Sequence, residues 1–142
     1  MKFVASKEMN VSRRAGFSRF NVEKIRKIED EIKSLKILKG NKRLGIAKVK
    51  VSLYGTELNG IMNYRIQRSK IELQIVCDKV SAVEKFLLIK LRENRIKLVH
   101  EVCLDFGNSL KNFLGRLILT WVIGSHLSSE LDSLAWLLEG KK

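Results

Sequence analysis

The chain contains no proline and only two cysteines and two histidines, so several protein classes are excluded at the outset. Without proline, polyproline linkers and collagen-like repeats do not fit. Cys77 and Cys103 are too few for the disulfide framework of a small secreted protein, and their apolar neighbours predict buried, reduced thiols. His100 and His126 have no spaced partners for a zinc site, and His100 is interpreted as a satisfied core residue.

Long hydrophobic segments are also missing. The longest apolar run, residues 117–124, is much shorter than the roughly 20 residues that span a bilayer. Lys7 and Glu8 occupy positions where a signal peptide would be apolar. Because 45% of the 142 residues are hydrophobic, we expect one folded domain. Because the chain shows neither a membrane span nor a signal peptide, we expect it to be soluble in the cytoplasm or an organellar matrix, not secreted and without membrane contact.

Positive charge dominates the composition and is concentrated early in the chain. The formal net charge is +13, with 28 Lys and Arg against 15 Asp and Glu. Residues 1–50 hold 15 of these cations and 5 of the acids, whereas residues 101–142 hold 4 and 5. Charge concentrated in this way is typical of nucleic-acid binding, although a lysine-rich soluble surface is the simpler alternative.

The hydrophobic periodicity predicts a mixed fold. An amphipathic helix is expected from Asn21 to Gly40, then strands over residues 46–54, 62–66 and 71–77, with an Asn59-Gly60 hairpin turn before the second strand. A Ser81–Glu84 capping box predicts a second helix that ends at Asn94. A fourth strand over residues 96–106 and helices over 109–123 and 128–138 complete the chain.

The predicted order is therefore α-β-β-β-α-β-α-α, an α+β fold with a mainly antiparallel sheet packed on helices, of a KH-like kind. We predict a flexible basic arm over residues 1–20. A single domain over residues 21–142 would end in a helical hairpin over residues 109–139.

Catalytic motifs are few. Neither GxxxxGK[ST] nor GxGxxG occurs, no nucleophile–base pair is evident, and we expect no cofactor and no metal. A metal-dependent nuclease built from Glu72, Asp78, Glu101 and Asp105 with Lys70 is a minor alternative. The protein is therefore expected not to be an enzyme.

A non-catalytic RNA-binding protein that holds phosphates with a basic helix and a basic sheet face is the favoured interpretation. The candidate nucleic-acid-binding residues are Arg13, Arg14, Arg19, Lys24, Lys27, Lys42, Arg43, Lys48, Lys50, Tyr54, Arg65, Arg68 and Lys70.

One segment, residues 86–110, resembles the C-terminal half of the ribosome-binding factor A family. Phe86-Leu87 and Leu91-Arg92 are similar to that family's helix, and Arg95 and Lys97 to its basic lead-in. Glu101-Val102 and Asn108-Ser109-Leu110 are similar to its strand and turn. The resemblance implies a KH-like fold, contact with ribosomal RNA of the small subunit, and a part in ribosome biogenesis without catalysis.

The alternative function belongs to another class. The apolar C-terminal helices over residues 109–139 are also typical of a protein-interaction or DNA-binding module of a mobile element or pathogen. Such a module would form a homodimer or dock a protein partner through them.

Overall fold

Alternation of apolar and polar residues builds one antiparallel sheet, which in this computed structural model has seven strands. The structure describes residues 2–29, 31–53, 56–77, 80–105 and 129–140. The strands, in chain order, are β1 (Lys2–Met9), β2 (Ile32–Gly40), β3 (Leu44–Leu53), β4 (Thr56–Ile66), β5 (Lys70–Cys77), β6 (Val80–Arg92) and β7 (Arg95–Asp105). Their order across the sheet is β1-β7-β6-β5-β4-β3-β2, with every pair antiparallel.

Short helices connect β1 to β2. Helix α1 spans Arg13–Ser18, a 3₁₀ turn spans Val22–Lys24, and α2 spans Ile25–Ile28. Ser12 caps the start of α1, and Asn21 caps the start of the 3₁₀ turn. In each case the side chain accepts a hydrogen bond from a backbone N–H that has no partner within the helix. Residues 129–138 are also helical, inside the range for which a C-terminal helix was predicted.

One face of the sheet, here called the inner face, carries the core. Its strand residues alternate with exposed ones, as in Met62, Tyr64 and Ile66 of β4. The helices supply the other half of the core with Phe20, Val22, Ile25, Ile28, Leu131, Leu134, Ala135 and Leu138. A sheet with one covered and one solvated face follows directly from the period-two pattern.

The predicted helix over residues 21–40 is wrong beyond Ile28, because residues 32–40 are strand β2. A bulge between Ile32 and Ser34 shifts the strand's register. The extra residue places Ile32 and Leu35 on the same face at a spacing of three, which imitates the period of a helix.

The predicted helix over residues 81–93 is also wrong, because this segment is β6, bonded to β5 on one side and β7 on the other. Glu84, Phe86 and Leu88 are its buried residues, at spacings of two. Glu84 therefore points into the core and does not cap a helix. The α+β, KH-like fold is corrected accordingly to a seven-stranded antiparallel sheet with few helices.

Smaller differences concern turns and surfaces. Asn59 and Gly60 lie inside β4, where a Cβ on Gly60 would come within 2.6 Å of Cys77 Sγ. Residues 2–9, expected in a mobile arm, form β1 against β7. Cys103, predicted to be buried, is exposed, and Cys77 is half-buried. The whole of the predicted 109–123 helix, like Tyr54, lies outside the described residues.

No helix in the described part of the chain is long and apolar enough to cross a membrane.

Leu98 provides a test of which face is buried. Leu98→Ala should lower the free energy of unfolding by about 2–5 kcal/mol, because this fully buried side chain of β7 would leave a cavity. Val76→Ala, on the outer face and 49% exposed, should change it by less than about 0.5 kcal/mol. Urea unfolding measures both values, and equal losses would contradict the assignment of the two faces.

Candidate functional site

The sequence-predicted basic residues are spread over several surfaces. Lys48 and Lys50 are exposed on β3, Arg65 is exposed on β4, and Lys24 and Lys27 belong to the helical segment after Asn21. Arg19 Nη1 donates a hydrogen bond to the carbonyl oxygen of Leu138 at 2.7 Å, so it joins α1 to the C-terminal helical segment.

Two groups of these residues do come together, each around a surface pocket. Arg13, Arg14 and Arg68 line one pocket of about 350 Å³. Lys42, Arg43 and Arg65 line another of about 630 Å³. Several other cations pair with acids: Lys50 with Glu57 at 3.9 Å, Lys70 with Glu72 at 3.1 Å, and Lys42 with Glu23 at 3.5 Å.

The carboxylates of the nuclease alternative do not converge. Glu72 of β5 stands opposite Lys85 of β6, which stands opposite Glu101 of β7. Two strand spacings, roughly 9.6 Å, therefore separate the backbones of Glu72 and Glu101. Among the described residues, neither belongs to a group of three side chains placed to hold a metal ion. Asp78 lies outside the described residues.

A different set of titratable side chains meets in the core. Glu84 of β6 and His100 of β7 are buried on the inner face, and Glu29 is buried at the end of α2. Glu130 belongs to the C-terminal helical segment, and its carboxylate lies within 4.8 Å of ligand atoms of Glu84 and His100. We call Glu29, Glu84, His100 and Glu130 the buried polar cluster.

Packing holds the His100 ring in place. The imidazole stacks on Phe86, its neighbour across β6 and β7, with ring centroids 4.0 Å apart and planes inclined by 14°. His100 Nε2 lies 3.9 Å from Glu84 Oε1, too long for a direct hydrogen bond. Within the described residues, neither ring nitrogen has a hydrogen-bond partner, and neither does Glu84 Oε2 or Glu29 Oε1.

Burial decides the charge state of the cluster. Loss of solvent raises the pKa of Glu29 well above its usual 4.5, and the neighbouring Glu84 carboxyl raises it further. Burial also raises the pKa of Glu84, although its hydrogen bond with Glu29 partly opposes this. Burial lowers the pKa of His100 to about 4. Near neutral pH the cluster therefore has an uncharged imidazole and at least one protonated carboxyl.

Glu84, His100 and Glu130 are the described residues that could hold a metal ion. Around one small tetrahedral cation with bond lengths near 2 Å, neighbouring ligand atoms lie roughly 3.3 Å apart. The 3.9 Å between His100 and Glu84 and the overall 4.8 Å spread are wider than this. These distances fit hydrogen bonds to an intervening polar group better than a shared cation.

Sequence reasoning missed three of the four cluster residues. Glu84 is predicted to be in a capping box, Glu29 falls inside the helix predicted from Asn21 to Gly40, and Glu130 is not among the sequence candidates. The available signal was the spacing of two from Glu84 to Phe86 and Leu88, which predicts a carboxyl on the apolar face of a strand. His100 was placed correctly in the core, but it is not satisfied there.

Comparison with solved structures identifies the fold. The Zhui aromatase/cyclase from Streptomyces sp. R1128 superposes with a TM-score of 0.79 at 11% identity, over 98% of this chain and 93% of that one. A START superfamily protein from Mycobacterium smegmatis superposes with a TM-score of 0.66 at 16% identity, over 98% of this chain and 94% of that one. Norcoclaurine synthase from Thalictrum flavum superposes with a TM-score of 0.67 at 11% identity, over 100% of this chain and 88% of that one. Its structure is a complex with dopamine and hydroxybenzaldehyde.

This chain therefore has the helix-grip fold of the START/Bet v1 type. No protein-family model and no curated protein sequence matches it significantly. At these identities the likeness establishes the fold alone.

The fold overturns the resemblance to ribosome-binding factor A. The RNA-binding function, which the charge distribution predicted and the resemblance supported, is wrong as well. The segment that carried the resemblance is the β6–β7 hairpin and its continuation, not a helix followed by a strand. The ribosome-biogenesis assignment and the small-subunit RNA partner are corrected with it.

Glu29→Gln tests the protonation of the cluster. The folded-state pKa of Glu29 is raised, so its stabilising contribution is complete below about pH 4.5 and is lost as pH rises toward the folded pKa. Between about pH 4.5 and the folded-state pKa of Glu29, the free energy of unfolding of Glu29→Gln, relative to the unmodified protein, should therefore rise by about 1.4 kcal/mol per pH unit. The contribution of His100 to stability has the opposite pH dependence, because it is lost as pH falls from 6.5 toward 4. Both proteins contain His100, so this contribution cancels in the difference between them.

Urea unfolding at about pH 5 and about pH 7 measures this difference. Glu57→Gln is the matched control, because the Glu57 side chain is 65% exposed. A difference that did not change with pH would mean that Glu29 is ionised in the folded protein.

Proposed function

We propose that this protein binds a small organic molecule between the inner face of the sheet and the C-terminal helical segment. The buried polar cluster would contact the polar end of that molecule, and the apolar side chains around it would contact the rest. Enclosed, mainly apolar sites with a few convergent polar groups are the usual form of small-molecule sites.

The observation that carries this proposal is the set of unpartnered buried atoms. Glu29, Glu84 and His100 are the buried polar residues among the described part of the chain, and everything else buried there is apolar. Burying a polar group without a partner destabilises a protein by about 1–3 kcal/mol. These groups come from the end of α2, from β6 and from β7, and they meet at one place. A loss of stability concentrated in this way is typical of a functional site.

The protonation state limits the chemistry of the ligand. A protonated carboxyl donates a hydrogen bond, and a neutral imidazole both donates and accepts. An uncharged hydroxyl or carbonyl group on a largely apolar body fits this set, because it brings no further charge into the core. The norcoclaurine synthase complex, which holds dopamine and hydroxybenzaldehyde, supports small ring compounds of this kind.

Binding without catalysis remains our proposal, as the sequence suggested, but one observation favours a second candidate. Glu29 and Glu84 interact as carboxyl partners beside a neutral histidine. Paired titratable groups with shifted pKa values suit proton transfer to or from a bound molecule. An aromatase/cyclase among the structures with this fold supports the same candidate.

Glu84→Met tests the binding proposal. The apolar replacement removes Oε2, which has no partner among the described residues, but it also removes the hydrogen bond with Glu29, so the free energy of unfolding should change by less than about 1 kcal/mol. The same change should weaken ligand binding about tenfold, because one polar contact to the ligand is lost. Native mass spectrometry of the purified protein identifies any copurifying molecule, and the neutral fluorophore N-phenyl-naphthylamine reports occupancy by displacement.

Glu57→Gln again serves as the control and should change neither measurement. If Glu84→Met were folded and bound the ligand as tightly as the unmodified protein, the cluster would not contact the ligand. Absence of saturable fluorophore binding by the folded, unmodified protein would contradict the proposed function itself.

The proton-transfer candidate has a separate readout. If the cluster catalyses proton transfer, the displacing ligand incubated in D₂O with the protein should take up deuterium at a carbon-bound position, as seen by NMR. Glu29→Gln and Glu84→Gln should abolish this uptake, because an amide does not exchange protons in this way. Uptake at the same rate with and without protein would eliminate this candidate.

A further inference from the structure

Three hairpin turns lie side by side at one end of the sheet. They are residues 41–43 between β2 and β3, residues 67–69 between β4 and β5, and residues 93–94 between β6 and β7. The strand order places them in one row from β2 to β7, five strand spacings or roughly 24 Å long. The start of α1 joins the row, because Arg13 and Arg14 share a pocket with Arg68 and Ser69.

Cations from separate parts of the chain converge on this row. The 350 Å³ pocket is lined by Arg13, Arg14, Arg68 and Lys90 together with Ser12, Ser69 and a single carboxylate, that of Glu93. No ion pair of these four cations is found in the described part of the structure. Gathering unpaired cations is unfavourable in the free protein and becomes favourable when an anion is bound.

Next along the row, the Arg43 side chain is held in a fixed position. Its guanidinium lies 4.2 Å from the centre of the Phe17 ring, and Nη2 donates a hydrogen bond to the Phe17 carbonyl oxygen at 3.3 Å. The turn itself is anchored by the Val22 N–H, which donates to the carbonyl oxygen of Lys42 at 2.8 Å. Part of this basic surface is therefore preorganised.

Large apolar side chains are exposed beside the same turns. Leu38 and Leu44 flank the first turn and are 52% and 53% exposed, and Ile89 and Leu91 precede the third at 44% and 43%. Each lies next to a cation in the sequence or one residue away. A soluble phosphate ligand or polyanion would account for the cations but would gain nothing from these four side chains.

Apolar side chains alternating with cations at exposed tips match the boundary between lipid headgroups and acyl chains. We propose that this hairpin-tip surface, made of Arg13, Arg14, Arg43, Arg68 and Lys90 with Leu38, Leu44, Ile89 and Leu91, docks on an anionic phospholipid membrane. The cations contact lipid phosphates and the apolar side chains enter the interface. The protein lies on the membrane and does not span it, and this docking is independent of the interior ligand.

Vesicle sedimentation with the full chain tests the proposal. The unmodified protein should bind vesicles of phosphatidylcholine mixed with phosphatidylserine, bind pure phosphatidylcholine far more weakly, and lose binding as salt is added. Arg14→Glu with Arg68→Glu should weaken partitioning at least tenfold, since each basic residue near an anionic surface contributes about fivefold. Leu44→Ser with Leu91→Ser should weaken it by about tenfold without changing the salt dependence.

Matched controls exist at the opposite end of the strands. Lys2→Glu with Lys33→Glu makes the same change in net charge at exposed positions, and Val76→Ser removes an apolar side chain that is 49% exposed. Both controls should keep most of the binding. Circular dichroism and thermal unfolding confirm that each variant is folded.

Three outcomes would overturn membrane docking. The first is an unmodified protein that does not bind the anionic vesicles. The second is an equal loss in the control and tip variants, which would mean that only net charge matters. The third is full binding by the leucine variants together with competition by free glycerophosphoserine, which would assign the cationic pocket to a soluble phosphate compound.

Discussion

The seven-stranded sheet buries one face only, and the rest of the structure depends on covering that face. Each strand contributes apolar residues at every second position, so a continuous apolar surface runs from β1 to β2. The cover comes from two distant parts of the chain, the helices between β1 and β2 and the helical residues 129–138. Arg19 joins these two parts by its bond to the Leu138 carbonyl oxygen.

Against this apolar background, the buried polar cluster is the exception. Loss of solvent shifts its groups in opposite directions: the pKa values of Glu29 and Glu84 rise, and the pKa of His100 falls. Both shifts remove charge, which is the less costly solution in a medium of low dielectric constant. The result is a region with an uncharged imidazole and at least one protonated carboxyl, which can form strong hydrogen bonds and is enclosed by aliphatic and aromatic side chains. A molecule with one polar group and an apolar body is the natural complement of such a region.

The basic residues have a different distribution from the one that the composition suggested. A net charge concentrated in the first hundred residues indicated one basic face, but the sheet topology divides these residues among an outer face, an edge strand and the hairpin turns. At the turns, cations from the start, middle and end of that segment meet, and exposed leucines accompany them there. The interior cluster and the hairpin-tip surface are therefore separate features with separate chemistry.

Local sequence patterns were sufficient for strands β3, β5 and β7, for the helix cap at Asn21, and for the burial of His100. They failed for β2 and β6. In β2 a bulge gave Ile32 and Leu35 a helical spacing, and in β6 a buried glutamate looked like a capping residue. Both segments are strands because neighbouring strands satisfy their backbone groups, which is a long-range condition that no short window contains.

For the candidate site, too, some features follow from the sequence and others only from the tertiary structure. The residue types, the absence of catalytic motifs and the excess of cations follow from the sequence alone. That Glu29, Glu84, His100 and Glu130 meet in one place was decided by tertiary structure, since up to 101 positions separate them along the chain. Their charge states were decided there too, because a pKa depends on solvent exposure and on neighbours that only folding supplies.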